Sequence, residues 1–590
     1  MPNRIMEDLH VVDDKSYPYI YEENVSIKLE SFEGLVRCNV YRPKTEEQVP
    51  VLVTYGPYGK DIHYKDYYPS SWAEINPKHK SAHSAFETPD PGFWTSKGYA
   101  LLRADEVGLG QSPGLLDTMS KSTSDAFADV IEWAAEQSWS NGKVGLAGIS
   151  YFAGSQWRVA ARRPKGLAAI CPTDGMADYY RDRCRHGGIL TGFLKWWSDN
   201  QVLSNQYGLP GRASRNWGPD TIEGDLSEEE LAANRHDQTI ETAQHLYRDD
   251  PYYASRDYNL EDITVPVLSF ANWGSIMIHL HGNYEGFRLA SSQHKFLRFT
   301  SGRHDLPFYD DEHVDLQLSF FDAFLKGKDQ GGWTDGTRPP VELLLRKGNV
   351  GVNNPAAEKA FQRRAETEWP LSRTHHVNYY LTPDKGFSPD KPLVKYDRIS
   401  YPALGNIEHQ QLVNFTSDPF PNETEISGYI VAHLNVSVTP LPGGPVPTDL
   451  DLFLTLRHFG DDGNEILYTG ITGEPVPLCK GWLRVSMRHV NKDHPRHRQW
   501  LPHRDYFARD VLPVIPGEIY PVDVEIWATN VIVAKGSRLV FELSSGDTEG
   551  SGKFGHDTPE RSFEKLAGNN HIHFGPQYEN YVTLPIIPPR

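Results

Sequence analysis

The chain has 590 residues, and because a domain commonly has about 150, its length predicts two or three separately packed cores. The formal charge is −19, from 59 Lys and Arg against 78 Asp and Glu, and this excess of acid would repel a nucleic-acid backbone. With 38% apolar and 12% aromatic residues, and no run near the ~18 apolar residues of a membrane span, the composition argues against disordered and membrane-spanning classes.

Between about residues 24 and 330, short apolar strands alternate with helical stretches. This pattern predicts an α/β fold, with a mostly parallel sheet covered by helices on both faces. The predicted strands are 24–30, 36–41, 50–55, 99–104, 143–148, 167–171, 265–271 and 295–301. The predicted helices are 126–137, capped by Ser124 and Asp125, then 151–162 and 313–326.

The alternation breaks twice along the chain. Between about residues 176 and 262, polar and aromatic helical segments such as 193–197 and 226–246 predict a cap inserted over the carboxyl edge of the sheet. After about residue 340, strands are separated by Pro and Gly turns with no helical run between them, which predicts an all-β sandwich or jelly roll. Its predicted strands include 341–345, 425–438, 450–457, 520–528 and 538–544.

The strongest chemical signal lies at residues 143–154, where an apolar strand runs through Gly148-Ile-Ser150 directly into a helix. A serine at such a turn is exposed at the edge of the sheet, and the amino end of the helix offers free N–H groups to a developing oxyanion. Gly148, Ala153 and Gly154 supply the small residues that the tight turn requires. Ser150 is therefore predicted to be a nucleophile, and an ordinary turn residue is the alternative.

This segment, together with others along the chain, resembles the cocaine esterase/X-prolyl dipeptidyl aminopeptidase (CocE/NonD) family of α/β-hydrolases. The resemblance covers nearly the whole chain and is carried by residues 125–133, 137–144 and 148–154, Pro57-Tyr58-Gly-Lys60, Asp105, and residues 108–114, 320–327, 449–454, 481–486 and 516–518. It implies a hydrolase domain at residues 1–175 and 263–335, a helical cap at 176–262 and a jelly roll at 336–590.

The resemblance implies that Ser150 is the nucleophile and that the oxyanion hole pairs the backbone N–H of Tyr151 with the phenol of Tyr58. A phenol at the end of the third strand can reach an oxygen that gains charge, although a simple turn tyrosine is the alternative. His304 follows the last strand of the sheet and is predicted to be the base, since an imidazole with a pKa near ~6.5 can take and return the serine proton. A structural histidine is the alternative.

The resemblance also implies a third catalytic residue, an acid that orients the histidine from the turn after the seventh strand. This chain has no acid in that turn. That turn reads Asn272-Trp273-Gly274-Ser275, and a serine cannot offset the charge of an imidazolium. Asp174, at the end of the preceding strand, is predicted to replace it, with an Asp-Gly turn residue as the alternative. Glu285 is less favoured, because it lies ten residues past Ser275 in a helical run, about 15 Å along the axis.

Three tryptophans are predicted to line the substrate pocket: Trp196, Trp197 and Trp273. His279 and His281 are two residues apart in a helix-like run and would face different sides, so no metal site is predicted there. We expect neither a metal nor an organic cofactor. The four cysteines show no metal or redox spacing, which predicts buried thiols. Buried thiols, together with a charged start of the chain that lacks a secretory pattern, predict a cytoplasmic protein.

The sequence thus predicts a cytoplasmic serine hydrolase that cleaves a small-molecule ester or amide through an acyl-enzyme intermediate. No nucleic-acid or membrane partner is expected, and a homo-oligomer stays open. The alternatives are a non-hydrolytic enzyme of the same fold (a lyase, cyclase or acyltransferase) and a catalytically dead binding protein. Turnover of esters and amides would distinguish a hydrolase from a non-hydrolytic enzyme of the same fold. Covalent labelling of the serine would distinguish an enzyme from a catalytically dead binding protein.

Overall fold

The computed structural model describes residues 5–6, 8–393 and 395–589. Residues 1–4 and 7 of the predicted hydrolase domain, and residues 394 and 590 of the predicted jelly roll, lie outside this part. None of the described helices is long and apolar enough to cross a membrane.

The N-terminal half is built on an eleven-stranded sheet with the strand order β1-β2-β3-β5-β4-β6-β7-β10-β11-β12-β13. The strands from β5 to β12 in this order run parallel, and the α/β fold is confirmed. In chain order they are β1 (Val11–Asp13), β2 (Tyr19–Lys28), β3 (Leu35–Pro43), β4 (Val49–Gly56), β5 (Ala100–Asp105), β6 (Ser140–Ile149), β7 (Leu167–Thr173), a hairpin of β8 (Arg185–His186) and β9 (Ile189–Leu190) outside the sheet, β10 (Val267–Asn272), β11 (Lys295–Thr300), β12 (Val341–Leu345) and β13 (Gln362–Glu366).

Helices cover both faces of this sheet, which explains why its central strands are apolar along their whole length: every residue of β4, β5 and β10 is buried. The α-helices of the chain are α1 (Tyr64–Tyr67), α2 (Pro69–Glu74), α3 (Pro91–Ser96), α4 (Lys121–Glu136), α5 (Tyr151–Ala160), α6 (Phe193–Trp197), α7 (Glu228–Ala233), α8 (Gln238–Gln244), α9 (Pro251–Ala254), α10 (Leu280–Leu289), α11 (Asp311–Lys326), α12 (Pro355–Glu358) and α13 (Phe563–Leu566).

Two differences between the predicted elements and the structure have a clear physical reason. The helix predicted from residue 126 begins at Lys121, because the Ser120 side chain caps it by accepting the backbone N–H of Thr123. The strand at Val341–Leu345, predicted for the all-β part, instead pairs in parallel with β11 of the first sheet. Apolar alternation alone does not say which sheet a strand joins.

The α-helices of the inserted segment, α6 to α9, are all short, and the segment also contains the β8–β9 hairpin, two π-helical turns at Tyr179–Cys184 and Ser198–Val202, and short 3-10 turns. The longest of these helices has seven residues. The segment packs against the carboxyl edge of the sheet, where Trp197 contacts Tyr58 and Tyr151.

The C-terminal part is all-β, as predicted. Its main sheet has the strand order β16-β26-β18-β24-β23-β19-β25-β17-β15-β14-β27, and β27 pairs again with β18, which closes the sheet into a barrel-like shape. The strands are β14 (His375–Leu381), β15 (Gly386–Ser388), β16 (Asp397–Pro402), β17 (Leu412–Ser417), β18 (Thr424–Thr439), β19 (Asp451–Phe459), β20 (Glu465–Ile466), β21 (Tyr468–Thr469), β22 (Pro475–Val476), β23 (Cys479–Arg484), β24 (Tyr520–Val533), β25 (Arg538–Ser544), β26 (Asn569–Phe574) and β27 (Tyr581–Ile587).

Candidate active site

Ser150 lies between the end of β6 and the first turn of α5, as the sequence predicts. Its φ of 56° and ψ of −113° form a strained conformation that a non-glycine residue rarely adopts. The turn tolerates no bulk, because a Cβ on Gly148 would lie 2.5 Å from the Cβ of Phe152. The strained turn directs the Ser150 side chain into a cavity at the carboxyl edge of the sheet.

The hydroxyl of Ser150 contacts His279, whose Nε2 lies 3.1 Å from the serine Oγ. His279 directly precedes α10, and its Nδ1 accepts the backbone N–H of Met176 at 3.3 Å. Burial lowers the pKa of His279 well below its usual value, and the nearby charges of His304 and Arg183 lower it further. His279 is therefore a neutral imidazole at physiological pH. No catalytic role was predicted for His279, although its place four residues after Ser275 puts it at the same edge of the sheet.

His304 lies in the same cavity but makes no hydrogen bond to Ser150, so the contact predicted between them is absent from the described structure. Its Nδ1 lies 2.9 Å from the carbonyl oxygen of Ile471, in the C-terminal part of the chain. Its Nε2 lies 2.7 Å from Oε1 of Glu87. Both ring nitrogens of His304 thus face other acceptors and not Ser150. The contact with Ser150 is absent because the buried carboxylate of Glu87, which no sequence pattern predicted, binds Nε2 instead.

Glu87, like His279, was not predicted to belong to the site. It precedes α3 in an irregular segment, with a φ of 58° and only 1% of its surface exposed. Burial raises the pKa of Glu87 to about 7. The pKa of His304 is raised to about 10, because the hydrogen bond and charge of Glu87 outweigh the opposing effect of burial. Between these values the pair consists of a carboxylate and an imidazolium.

Asp174 follows β7, as predicted, with a φ of 48°. Its Oδ2 accepts the hydroxyl of Ser275 at 2.6 Å, and within the described residues it forms no hydrogen bond with His304. The predicted orienting contact is therefore not made: Oδ2 is taken by Ser275, and Oδ1 is buried without a hydrogen-bond partner among the described residues. Burial raises the pKa of Asp174 to about 6, and His304 is close enough to oppose this shift by its charge.

The two predicted oxyanion donors lie beside Ser150. Tyr151 is the first residue of α5, so its backbone N–H has no acceptor within the helix. The Tyr58 hydroxyl accepts the indole N–H of Trp197 at 3.0 Å and interacts with the side chain of Ser150. Burial raises the pKa of Tyr58, so its phenol keeps its proton and can donate it. The side chain of Tyr151 turns away and donates to Glu106 at 2.9 Å.

Comparisons with known proteins identify the relatives of this chain. Residues 35–305 match the X-Pro dipeptidyl-peptidase (S15 family) model, and residues 332–583 match the X-Pro dipeptidyl-peptidase C-terminal non-catalytic domain. The cocaine esterase of Rhodococcus sp. (strain MB1 Bresler) is 23% identical over 96% of this chain and 99% of its own length. A putative Xaa-Pro dipeptidyl-peptidase of Streptomyces avermitilis is 21% identical over 78% of this chain and 68% of its own. A crystal structure of a CocE/NonD family hydrolase from Staphylococcus aureus superimposes with a TM-score of 0.80 at 25% identity, covering 98% of this chain and 96% of that one.

The chain belongs to the CocE/NonD X-Pro dipeptidyl-peptidase family of α/β-hydrolases. It is a serine hydrolase that cleaves an ester or amide bond.

The cavity of this CocE/NonD hydrolase has a volume of about 280 Å³ and is formed jointly by the sheet edge, the cap and the C-terminal part. Ile471 and Thr472 close it from the C-terminal side. Nine aromatic side chains line it: Tyr58, Tyr67, Tyr68, Phe86, Phe193, Trp196, Trp197, Trp217 and Phe554.

Trp196 and Trp197 line this cavity, as predicted, but Trp273 does not. The side chain of Trp273 is fully buried, stacks on Phe299 of β11 at 4.0 Å between ring centroids, and donates its indole N–H to the carbonyl of Leu344. Trp273 lies outside this cavity because the residue after a strand can point to either side of the sheet edge, and here it packs against β11, β12 and Trp369.

Proposed function

We propose that this hydrolase cleaves small-molecule esters or amides through an acyl-enzyme on Ser150. The observation that carries the proposal is the strained conformation of Ser150, which exposes its hydroxyl to an aromatic cavity 3.1 Å from the Nε2 of His279. Strain of this kind persists only where the surroundings enforce it, and it is typical of nucleophile turns. Apolar rings around one polar corner suit a substrate with an aromatic group next to its carbonyl.

The oxyanion would be held by the backbone N–H of Tyr151 and the phenol of Tyr58. Both donors are fixed before the substrate arrives, Tyr151 by the helix start and Tyr58 by its contact with Trp197. Such preorganised donors stabilise charge that develops only in the transition state. His279, His304 and Glu87 line the same cavity and would serve proton transfer, with Asp174 adding negative charge behind them.

The names of the relatives narrow the choice of substrates to test. One relative is named a cocaine esterase and another a putative Xaa-Pro dipeptidyl-peptidase. We expect nitrophenyl esters with aromatic acyl groups to be hydrolysed faster than the acetyl ester, with a burst of nitrophenol equal to the enzyme concentration. Stopped-flow absorbance would measure it. The proposal would be overturned if the enzyme hydrolysed neither the esters nor X-Pro anilides.

Replacing Tyr58 by Phe is expected to lower kcat by about 100-fold with little change in KM, because one oxyanion donor is lost while the ring that lines the cavity is kept. Steady-state kinetics with an aromatic ester would measure the effect. Tyr180→Phe is a matched control, since it removes a tyrosine hydroxyl in the cap that donates to the carbonyl of Leu246. Equal effects of the two variants would contradict the assignment.

A buried ion pair positions His279. Asp182 accepts the backbone N–H groups of Ala177 and Asp178 and lies 2.5 Å from Nδ1 of His281, so it holds the loop whose Met176 N–H contacts His279. The loop also packs on α10, where a Cβ on Gly282 would lie 2.2 Å from the nitrogen of Ala177.

Asp182→Asn is therefore expected to lower kcat by up to about 100-fold through a shift of His279, with a smaller change in KM. The kcat and KM of the purified variant would be measured together with its thermal midpoint. Asp523→Asn alters a more exposed Asp–His pair with His433, at 2.7 Å in the C-terminal part, and should leave kcat unchanged. If both variants lost the same activity, a positioning role for Asp182 would be wrong.

We also propose that the hydrolase works in the cytoplasm. Its four cysteines are all buried and all free, which suits a reducing compartment.

A further inference from the structure

The active-site cavity carries a positive charge that nothing in its wall offsets. Apart from its tyrosines, it is lined by four residues that can carry charge: Glu87, His279, His304 and Lys553. Glu87 and His304 offset each other as an ion pair, with 2.7 Å between Oε1 and Nε2. His279 is neutral, because burial lowers its pKa well below its usual value. The Lys553 ammonium forms no ion pair with any residue that the structure describes.

Lys553 is held where the cavity opens to solvent. Its side chain is exposed and also lines the cavity, next to Trp196. The Nζ of Lys553 lies 3.8 Å from the centre of the Trp196 ring. The neighbouring Phe554 anchors this segment to the cap by stacking on Phe193 of α6, with 4.7 Å between ring centroids. A cation over an aromatic face in this way keeps N–H groups free for a second partner.

A second cation lies behind the same aromatic wall. The guanidinium of Arg183 is buried and packs 4.2 Å from the centre of the Trp197 ring. Its Nη1 donates to the sulfur of Met176 at 3.5 Å, and its Nε and Nη2 have no hydrogen-bond partner among the described residues. The charge of Arg183 acts on Glu106, but burial raises the pKa of that carboxyl to about 8, so it is mostly protonated at neutral pH. No carboxylate therefore cancels the charge of Arg183.

This local excess of positive charge runs against the charge of the whole chain, which is −19. It also differs from the charge elsewhere in the cap, where the exposed Lys195 is paired with Asp199 at 2.8 Å. Lys553 and Arg183 lie on either side of an aromatic wall that holds little water. Charges act more strongly next to such a surface than in bulk water, so the cavity should attract an anion.

We propose that Lys553 binds an anionic group of the substrate, and that the preferred substrates are esters or amides in which an aromatic ring carries a carboxylate. This inference rests on the proposed function, because it names the substrate class of the Ser150 site. The substrate ring would pack on Trp196 and Trp197, while its carboxylate accepts hydrogen bonds from the Lys553 ammonium. Arg183 adds attraction from behind the wall without touching the substrate.

The test compares the unmodified enzyme with Lys553→Met, which keeps an unbranched apolar stem beside Trp196. Two pairs of esters are used, so that the position of the anion can be found. In one pair the acyl group differs: the nitrophenyl esters of 4-carboxybenzoate and 4-methylbenzoate. In the other pair the leaving group differs: the benzoate esters of 4-hydroxybenzoate and 4-methylphenol. The measured quantity is the ratio of kcat/KM for the anionic ester to kcat/KM for the uncharged ester. Comparing this ratio between enzymes cancels the intrinsic reactivity of the esters.

We expect Lys553→Met to lower this ratio by about 5- to 20-fold for one of the two pairs, which identifies the part of the substrate that carries the anion. Salt at about 0.5 M should lower the ratio in the unmodified enzyme but not in Lys553→Met. Lys553→Glu should lower it further and should raise kcat/KM for the nitrophenyl ester of 4-(trimethylammonio)benzoate. Lys195→Met is the matched control, because it removes an exposed lysine of the cap that does not line the cavity, and it should keep the ratio of the unmodified enzyme.

The inference would be overturned if both ratios in Lys553→Met stayed within about twofold of those in the unmodified enzyme. It would also be overturned if Lys195→Met lowered the ratio as much as Lys553→Met. A failure of the proposed function would look different. In that case the unmodified enzyme would hydrolyse none of these esters, or Ser150→Ala would hydrolyse them as fast as the unmodified enzyme does.

Discussion

Replacing Ser150 by Ala is expected to lower kcat by about 10⁴- to 10⁶-fold, the largest effect of any single substitution in this hydrolase. The acyl-enzyme cannot form without Oγ, so only binding and the oxyanion donors remain to accelerate attack by water. The loss should appear in kcat, with KM for an aromatic ester changed little, because the rings that line the cavity are untouched. Steady-state kinetics with a nitrophenyl ester would measure it.

Ser155→Ala is the matched control for this substitution. Ser155 lies in the same helix, and its hydroxyl donates to the carbonyl of Phe152 at 3.2 Å. It is buried but does not line the cavity. Loss of activity in Ser155→Ala equal to that in Ser150→Ala would show that the first turns of α5, and not one hydroxyl, are required.

The second large effect concerns stability. Asp451 of β19 accepts two hydrogen bonds from Arg484 of β23, at 2.8 and 2.9 Å, and a third from Arg561 at 3.2 Å. All three side chains are at most 3% exposed. Asp451→Ala would leave two buried guanidinium groups without this carboxylate, and we expect it to lower the free energy of unfolding by about 3 to 5 kcal/mol.

Denaturant unfolding at neutral pH would measure this loss of stability. Lowering the pH should cause part of the same loss in the unmodified enzyme, because Asp451 becomes protonated. Burial opposes the charged form of Asp451, but Arg484 outweighs burial and lowers its pKa. A depressed pKa means that the stabilisation is present above the ordinary carboxyl pKa and is lost as the pH falls through the lowered value. Asp311→Ala removes the carboxylate of an exposed pair with Lys78 and should leave the midpoint unchanged. Similar losses in both variants would contradict the account.

Local sequence was sufficient to predict the strand-to-helix turn at Ser150, because the features that form this turn are contiguous. A strand, a glycine and the start of a helix follow one another within residues 140–160. The proposed oxyanion donors Tyr58 and Tyr151 likewise lie at strand and helix ends. The closed all-β part was also predictable, since its turns recur at short intervals and no helical pattern interrupts its predicted strands.

The partners of Ser150 were not predictable in the same way, because they depend on contacts between distant segments. His304 was placed correctly at a strand end, yet its ring is held by Glu87 and by Ile471, which are 217 and 167 residues away. Asp174 was correctly placed after β7, but its carboxylate contacts Ser275, 101 residues away. Which imidazole reaches the serine is thus decided by tertiary packing, which no spacing in the sequence records.

The most direct test of the central claim is peptide mass mapping after treatment with a fluorophosphonate probe. The account predicts that one probe molecule attaches to Ser150 in the folded enzyme, that Ser150→Ala abolishes the adduct, and that the aromatic ester substrate slows its formation by competing for the cavity. A folded enzyme without the adduct, or with the adduct on another serine, would contradict the claim that Ser150 is an activated nucleophile.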